Sequence, residues 1–165
     1  MAKASPQRQR TCPILALPPE LHLLIAASLI FPDLLRLKHT CRYFNQLIPP
    51  LTHAQLIQAE NTDYAITTGI YACRYCLRLR PASQFADRMM RRRRGRFGRD
   101  ACKRFCVDCG MQPRNGEARY GPGAQLGIRG VSLVICIACR ELKVCGRDRW
   151  GRGTAYCVGC LEKQK

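Results

Sequence analysis

Long apolar runs are missing from this sequence. The longest mostly apolar stretch, Leu21 to Phe31, has 11 residues and includes a histidine, whereas a helix that crosses a bilayer needs about 20. A transmembrane helix, and with it a membrane partner, is therefore not expected. Acidic residues are scarce as well, 11 Asp+Glu against 28 Lys+Arg, which leaves a formal charge of +17. Histidine is absent from the whole cysteine-rich part, since His22, His39 and His53 all precede it; a mixed Cys/His ligand set cannot be drawn there. No nucleophile, base and orienting group occur in a recognisable set, and no Gly-rich phosphate loop is present, so independent catalysis has no support. Collagen-like and coiled-coil patterns are lacking too. With 47% hydrophobic residues, the chain can nevertheless build a core, which argues against wholesale disorder.

The sequence is rich in cysteine instead: twelve in 165 residues. Eight form four C-x2-C pairs, Cys73/Cys76, Cys106/Cys109, Cys136/Cys139 and Cys157/Cys160, separated by 29, 26 and 17 residues. Lys3, Arg8 and Arg10 imitate the charged start of an export signal, but Pro13, Pro18, Pro19 and Glu20 interrupt its apolar part. Without export, such pairs point to metal rather than to disulfides. Two residues between cysteines let the chain turn so that both sulfurs reach about 2.3 Å from one tetrahedral zinc ion, and two such turns complete a site. Two structural zinc ions are expected. Joining the pairs in chain order is the first reading, and crossed pairing, Cys73/Cys76 with Cys136/Cys139 and Cys106/Cys109 with Cys157/Cys160, is the rival. Cys102 and Cys145 are left over, and either could replace a named ligand. All-cysteine coordination leaves no position for water, which argues against catalytic zinc.

Charge and cysteine travel together: residues 1–60 carry a net +3 and the remainder +14. Eight thiolates and two divalent ions would lower the total by four, to about +13. The densest run, Arg88 to Arg104, holds nine positive residues and one acid, Asp100. Within it, Arg88, Arg91, Arg92, Arg93, Arg94, Arg96 and Arg99 form a candidate basic patch, readable as a nuclear localisation signal, a phosphate-binding strip or a dock for an acidic substrate. The competing reading is a solvated, mobile loop. Gly121, Gly123, Gly127 and Gly130 mark a flexible connection, and Val131 to Cys139 is β-branched enough to form a strand entering the third cysteine pair.

The N-terminal part is helical in pattern. Leu17, Leu21, Leu24, Ile25 and Leu29 recur at helical spacing behind Pro18-Pro19, Pro32 interrupts, Asp33 is placed to cap a second helix, and a third ends before Pro49-Pro50. Three helices in about 35 residues cannot bury enough apolar surface to be comfortably stable alone. The string from Leu17 to Leu47 resembles the F-box: Leu17, Pro18, Glu20, Leu21, Ile25, Leu29, Asp33, Leu34, Leu37, Cys41, Arg42, Phe44 and Leu47 occupy its pattern positions. The Cys-rich remainder is similar to the region C-terminal to the F-box in small fungal proteins of this kind. The resemblance implies docking on a Skp-type adaptor and, through it, on a cullin-based ubiquitin ligase, with Leu17, Pro18, Leu21, Ile25 and Leu29 as adaptor-binding anchors. Each square ångström of apolar surface covered by that partner would contribute roughly 25 cal/mol.

The expected fold is mainly α. It comprises a disordered basic N-terminus over 1–11, a three-helix F-box domain over 12–50 and a linker helix over 51–70. A small irregular zinc-stabilised cysteine-rich module with short strands occupies 71–165, carrying the basic loop 88–104. The expected function is that of a non-catalytic F-box substrate-recognition adaptor in the nucleus and/or cytoplasm, presenting an unidentified protein substrate through its basic zinc module. A zinc-dependent nucleic-acid-binding protein is the alternative. A RING-like ligase, for which Cys73, Cys76, Cys102, Cys106, Cys109, Cys136 and Cys139 imitate seven ligand places, lacks the His and the eighth ligand.

Overall fold

The computed structural model describes residues 12–114 and 118–163; the disordered stretch expected over 1–11 lies outside the described residues. The chain divides into two compact units at the bond between Pro50 and Leu51.

The first unit opens with a 3-10 turn, Pro13–Ala16, and three helices: α1 (Pro19–Ser28), α2 (Asp33–Thr40) and α3 (Arg42–Leu47). Pro19 sits in the first turn of α1, where a residue without an N–H leaves no orphan donor. Asp33 is the first helical residue of α2 rather than its cap, and pairs with Arg36 at 2.9 Å. Ala26, Phe44 and Ile48 are the buried centre, with Ile14, Leu34, Leu37, Cys41 and Leu47 packed against them. His22 is buried beside this centre. Its Nε2 lies 2.6 Å from the Ile14 carbonyl, which can only accept, so Nε2–H donates there, and Nδ1 is hydrogen-bonded with the Tyr43 hydroxyl at 2.7 Å. The 3-10 turn is thereby held to α1.

The second unit starts with α4 (His53–Glu60) and α5 (Asp63–Thr68). Thr52 and Gln55 form a reciprocal capping box at the start of α4, and Thr62 caps α5. Gly69 ends α5 at φ +63°, in the left-handed region that a side chain would strain. Next comes a hairpin, β1 (Ile70–Cys73) against β2 (Arg78–Pro81), then a series of 3-10 turns through the basic run, then α6 (Val107–Met111). Four antiparallel strands succeed it in chain order, β3 (Gln125–Ile128), β4 (Val131–Ile135), β5 (Leu142–Arg147) and β6 (Gly153–Cys157), and α7 (Val158–Glu162) ends the fold. Arg129 and Gly130, both at positive φ, make the β3–β4 turn. Asp87 accepts the N–H groups of both, at 2.9 and 3.0 Å, and so ties the sheet to the segment before the basic run. At Gly110 the Tyr120 ring approaches so closely that an added Cβ would sit 2.3 Å from it.

The mainly-α expectation is corrected here: of the described residues 43% are helical and 19% lie in strands, in two antiparallel sheets. After α5, the helices α6 and α7 have five residues each. Helices that short do not hold themselves in water. The strand pairings and cysteine turns carry the second unit instead, with two buried clusters: Phe85, Met89, Phe105, Tyr120, Leu126 and Ile135 around the first cysteines, and Val134 with Cys145 around the last.

A fully buried ion pair ties these parts together. Arg104 Nη1 donates to both Glu60 carboxylate oxygens at 2.8 and 2.7 Å, and Glu60 also accepts the Ala72 N–H at 2.6 Å. The other Arg104 nitrogens donate to the carbonyls of Met89 and Arg94. Arg96 adds a second inward guanidinium, bonded to the carbonyls of Glu60, Ala65 and Ile70, and both cations stand over the Tyr71 ring, at 4.2 Å for Arg96 and 5.0 Å for Arg104. Removing one partner alone strands a buried charge, so Glu60→Ala should lower the unfolding free energy by about 3–5 kcal/mol. Glu60→Leu combined with Arg104→Met should cost less than Glu60→Ala, and a double-mutant cycle by urea unfolding checks it; additive losses would contradict the coupling.

Candidate metal centres

The four cysteine pairs meet in chain order. The sulfurs of Cys73, Cys76, Cys106 and Cys109 lie within 4.8 Å of one another, as do those of Cys136, Cys139, Cys157 and Cys160. The crossed arrangement is not the one the fold assembles. Among the described residues no histidine joins either set. Cys145 stays outside the second set, its buried thiol donating to the carbonyls of Gly146 and Thr154 at 3.3 and 3.2 Å, and Cys102 is exposed.

Both sites share one plan. The first pair of each lies in the turn of a β-hairpin: Leu77 N–H bonds the Cys73 carbonyl at 3.1 Å and Arg140 N–H bonds the Cys136 carbonyl at 2.8 Å. Leu77 and Arg140 both adopt positive φ, 51° and 62°, which closes the turn directly after the second cysteine. The second pair of each opens a short helix, Cys106 before α6 and Cys157 before α7. Even the joint matches: the residue after the first cysteine, Arg74 or Ile137, donates its N–H to the residue two places before the third, Arg104 or Ala155, at 3.0 and 3.1 Å. The chain thus contains the same local structure twice. In the first copy the 3-10 segment with the arginines stands where the second has a turn and β6.

The thiol chemistry suits a divalent ion. The Cys106 thiol, then the N–H groups of Cys76, Cys106 and Tyr75, hold the Cys73 sulfur well below the ordinary thiol range, and Cys106 is pushed up in return by Cys73 and by burial. Backbone donation from Cys157, then Cys139 and Ala138, lowers Cys136 to about 6, while the crowding of Cys157 raises Cys160 to about 12. In each set one thiolate forms readily, while Cys106 in the first and Cys160 in the second hold their protons more tightly, and a metal ion displaces them. Cys139 and Cys157 sulfurs are 3.9 Å apart, close to the edge of about 3.8 Å that a tetrahedral ion with sulfur bonds of about 2.3 Å requires. Four sulfurs leave no coordination position open.

The other residues singled out from the sequence divide between surface and interior. In the first unit Leu17 is 38% exposed, Leu21 43% and Leu24 66%, Pro18 is exposed, and Ile25 and Leu29 are half-buried. Leu15, Leu17, Pro19 and Tyr43 line an open cleft of about 410 Å³. In the basic run Arg88, Arg91, Arg92, Arg93 and Arg99 are exposed, whereas Arg94 and Arg96 are half-buried and bonded inward, Arg94 to the Met89 sulfur. Among the described residues no helix is long and apolar enough to cross a membrane. Sequence reasoning missed Glu60 and Arg104, which no local pattern joins across 44 positions.

Against known families, residues 14–55 match the F-box-like family. The chain therefore carries an F-box-like domain, and the two cysteine sites lie beyond it. Searches of curated proteins and of solved structures return no match.

Metal analysis of the reduced protein should find about two ions per chain. Cys73→Ser should lose one, Cys136→Ser the other, and Cys145→Ser neither. Because Cys160 keeps its proton up to about 12 in the metal-free fold, metal entry at pH 7 must release protons. Affinity should then rise with pH and fall in acid; calorimetry in two buffers of different ionisation enthalpy measures the protons, and none released would contradict the assignment.

Proposed function

We propose that this protein is a non-catalytic substrate-recognition subunit of a cullin-based ubiquitin ligase. Its F-box-like unit docks on a Skp-type adaptor, and its cysteine-rich unit, built on two structural zinc ions, presents a protein substrate. The observation that carries this reading is the F-box-like match over residues 14–55 together with the leucines that this unit leaves on its surface. Leu15, Leu17, Leu21, Leu23, Leu24 and Ile30 are all exposed, and among the described residues of this unit the buried centre has three members. So small a centre leaves the helices marginal alone, and a partner helix laid on the exposed side chains would add roughly 25 cal/mol per square ångström covered.

Zinc suits the sulfur sets because it is a borderline-soft ion of tetrahedral habit, and a closed four-thiolate shell gives it a structural rather than a catalytic task. Such sites need a reducing compartment to stay in thiol form, which agrees with action in the nucleus or cytoplasm. Ubiquitin transfer in this scheme belongs to the partner subunits.

Copurification of the full chain with a Skp-type adaptor tests the docking. Leu17→Asp with Leu21→Asp, at exposed positions, should weaken capture at least about tenfold and leave zinc content unchanged. Phe44→Ala, in the buried centre, should instead melt the first unit, since loss of a core phenylalanine costs about 3–5 kcal/mol. Capture unchanged by the two aspartates would contradict the proposed docking face.

A further inference from the structure

The second unit contains a recess of about 410 Å³ whose wall carries five cations, Arg74, Arg88, Arg94, Lys103 and Arg119. They come from three parts of the chain: the cysteine turn of the first hairpin, three 3-10 turns of the basic run that carry Arg88, Arg94 and Lys103, and the loop before Tyr120. Among the described residues none of the four arginines has a carboxylate within 4.0 Å; only Lys103 does, paired with Asp100 at 2.9 Å. The inward guanidinium of this run, Arg104, has its counter-charge in Glu60. The recess arginines have no carboxylate partner among the described residues.

Like charges crowded around one recess repel, and an anion entering it relieves that repulsion while accepting several charge-assisted hydrogen bonds. The volume falls within the range of about 300–1,000 Å³ that bound small groups occupy. The aromatic side chains that line the recess are already engaged with cations and with one another. Tyr75 has Arg74 over its ring at 5.2 Å and Arg114 at 4.4 Å, and Phe105 is buried between Tyr75 and Tyr120. Recognition here runs through charge and not through a base. A phosphate monoester fits this geometry better than a phosphodiester strand, because it concentrates a charge of about −2 and three terminal oxygens at one point on which donors from several directions converge.

We propose that this recess is a binding site for a phosphate monoester, supplied either by a phosphorylated side chain of another protein or by a small soluble phosphate. The site is independent of adaptor docking, and would remain if that reading failed. Arg74 lies between Cys73 and Cys76, so the first metal centre also sets one wall of the recess.

The test uses the full, metal-loaded chain and a labelled peptide with one phosphoserine, its unphosphorylated twin, inorganic phosphate, and a single-stranded thymidine oligonucleotide. The phosphopeptide should bind at least about tenfold more tightly than its twin, and binding should weaken below about pH 6 as the monoester takes up a proton. Arg88→Gln with Arg119→Gln should abolish the preference, whereas Arg92→Gln with Arg99→Gln, an equal charge loss at exposed positions outside the recess, should leave it within about twofold. Inorganic phosphate competing as well as the phosphopeptide assigns the site to a soluble phosphate, and competition at least about tenfold weaker assigns it to a protein-borne one. Equal weakening by the two double variants would overturn the proposal in favour of a diffuse positive field. So would an oligonucleotide bound as tightly as the phosphopeptide, which would make the recess part of a nucleic-acid surface. If the recess double variant loses metal, Arg119→Gln alone provides the comparison.

Discussion

The buried contact between Glu60 and Arg104 decides what belongs to the second unit. Both Glu60 oxygens and all three Arg104 guanidinium nitrogens are engaged, joining α4, β1 and the carbonyls of Met89 and Arg94, so each of these parts is fixed by the same pair of charges. A charge pair taken wholly out of water loses several kcal/mol of hydration per ion, and it repays that only when the remaining donors and acceptors are satisfied as well. Here they are. A helix just after the F-box-like unit thereby becomes a wall of the cysteine-rich unit, and a run of arginines becomes part of a frame.

That frame explains why the basic segment has two faces. Arg96 and Arg104 point inward and close the polar groups of α4, α5 and β1, while Arg88, Arg91, Arg92, Arg93 and Arg99 remain at the surface. A solvated loop would have no reason to divide its cations in this way. The segment fills the same place in the first metal centre that a turn and β6 fill in the second, so two sites of one plan differ mainly in what is inserted between their ligand pairs. The insertion is where the charge of the module is concentrated.

How much of this was legible in the chain depends on how local each cause is. The C-x2-C pairs were legible because two intervening residues fix the turn whatever surrounds them, and the F-box-like segment because its leucine spacing is that of its helices. The strand entering Cys136 was readable from Val131 to Ile135 for the same reason. The rest of the sheet was not: β5 reads Leu-Lys-Val-Cys-Gly-Arg, with a glycine at a register shift against β6, and β3 contains Gly127. Such strands have little propensity of their own and exist because the cysteine turns and the Asp87 clasp on the β3–β4 turn bring them together. Glu60 carries no local signal of its burial, since its partner stands 44 positions away.

The same distinction separates what the two units need. In the first unit a buried centre of Ala26, Phe44 and Ile48 has too little area to hold three short helices rigidly, and the unit supplies the deficit with side chains that a partner can cover. In the second unit the deficit is made up internally, by two sulfur sets and a satisfied ion pair, so its surface is free to be strongly charged. Apolar exposure on one unit and unpaired cations on the other are two answers to the same shortage of core. The adaptor docking and the anion site proposed above follow from this contrast, an apolar helix suiting the first unit and an anion the second.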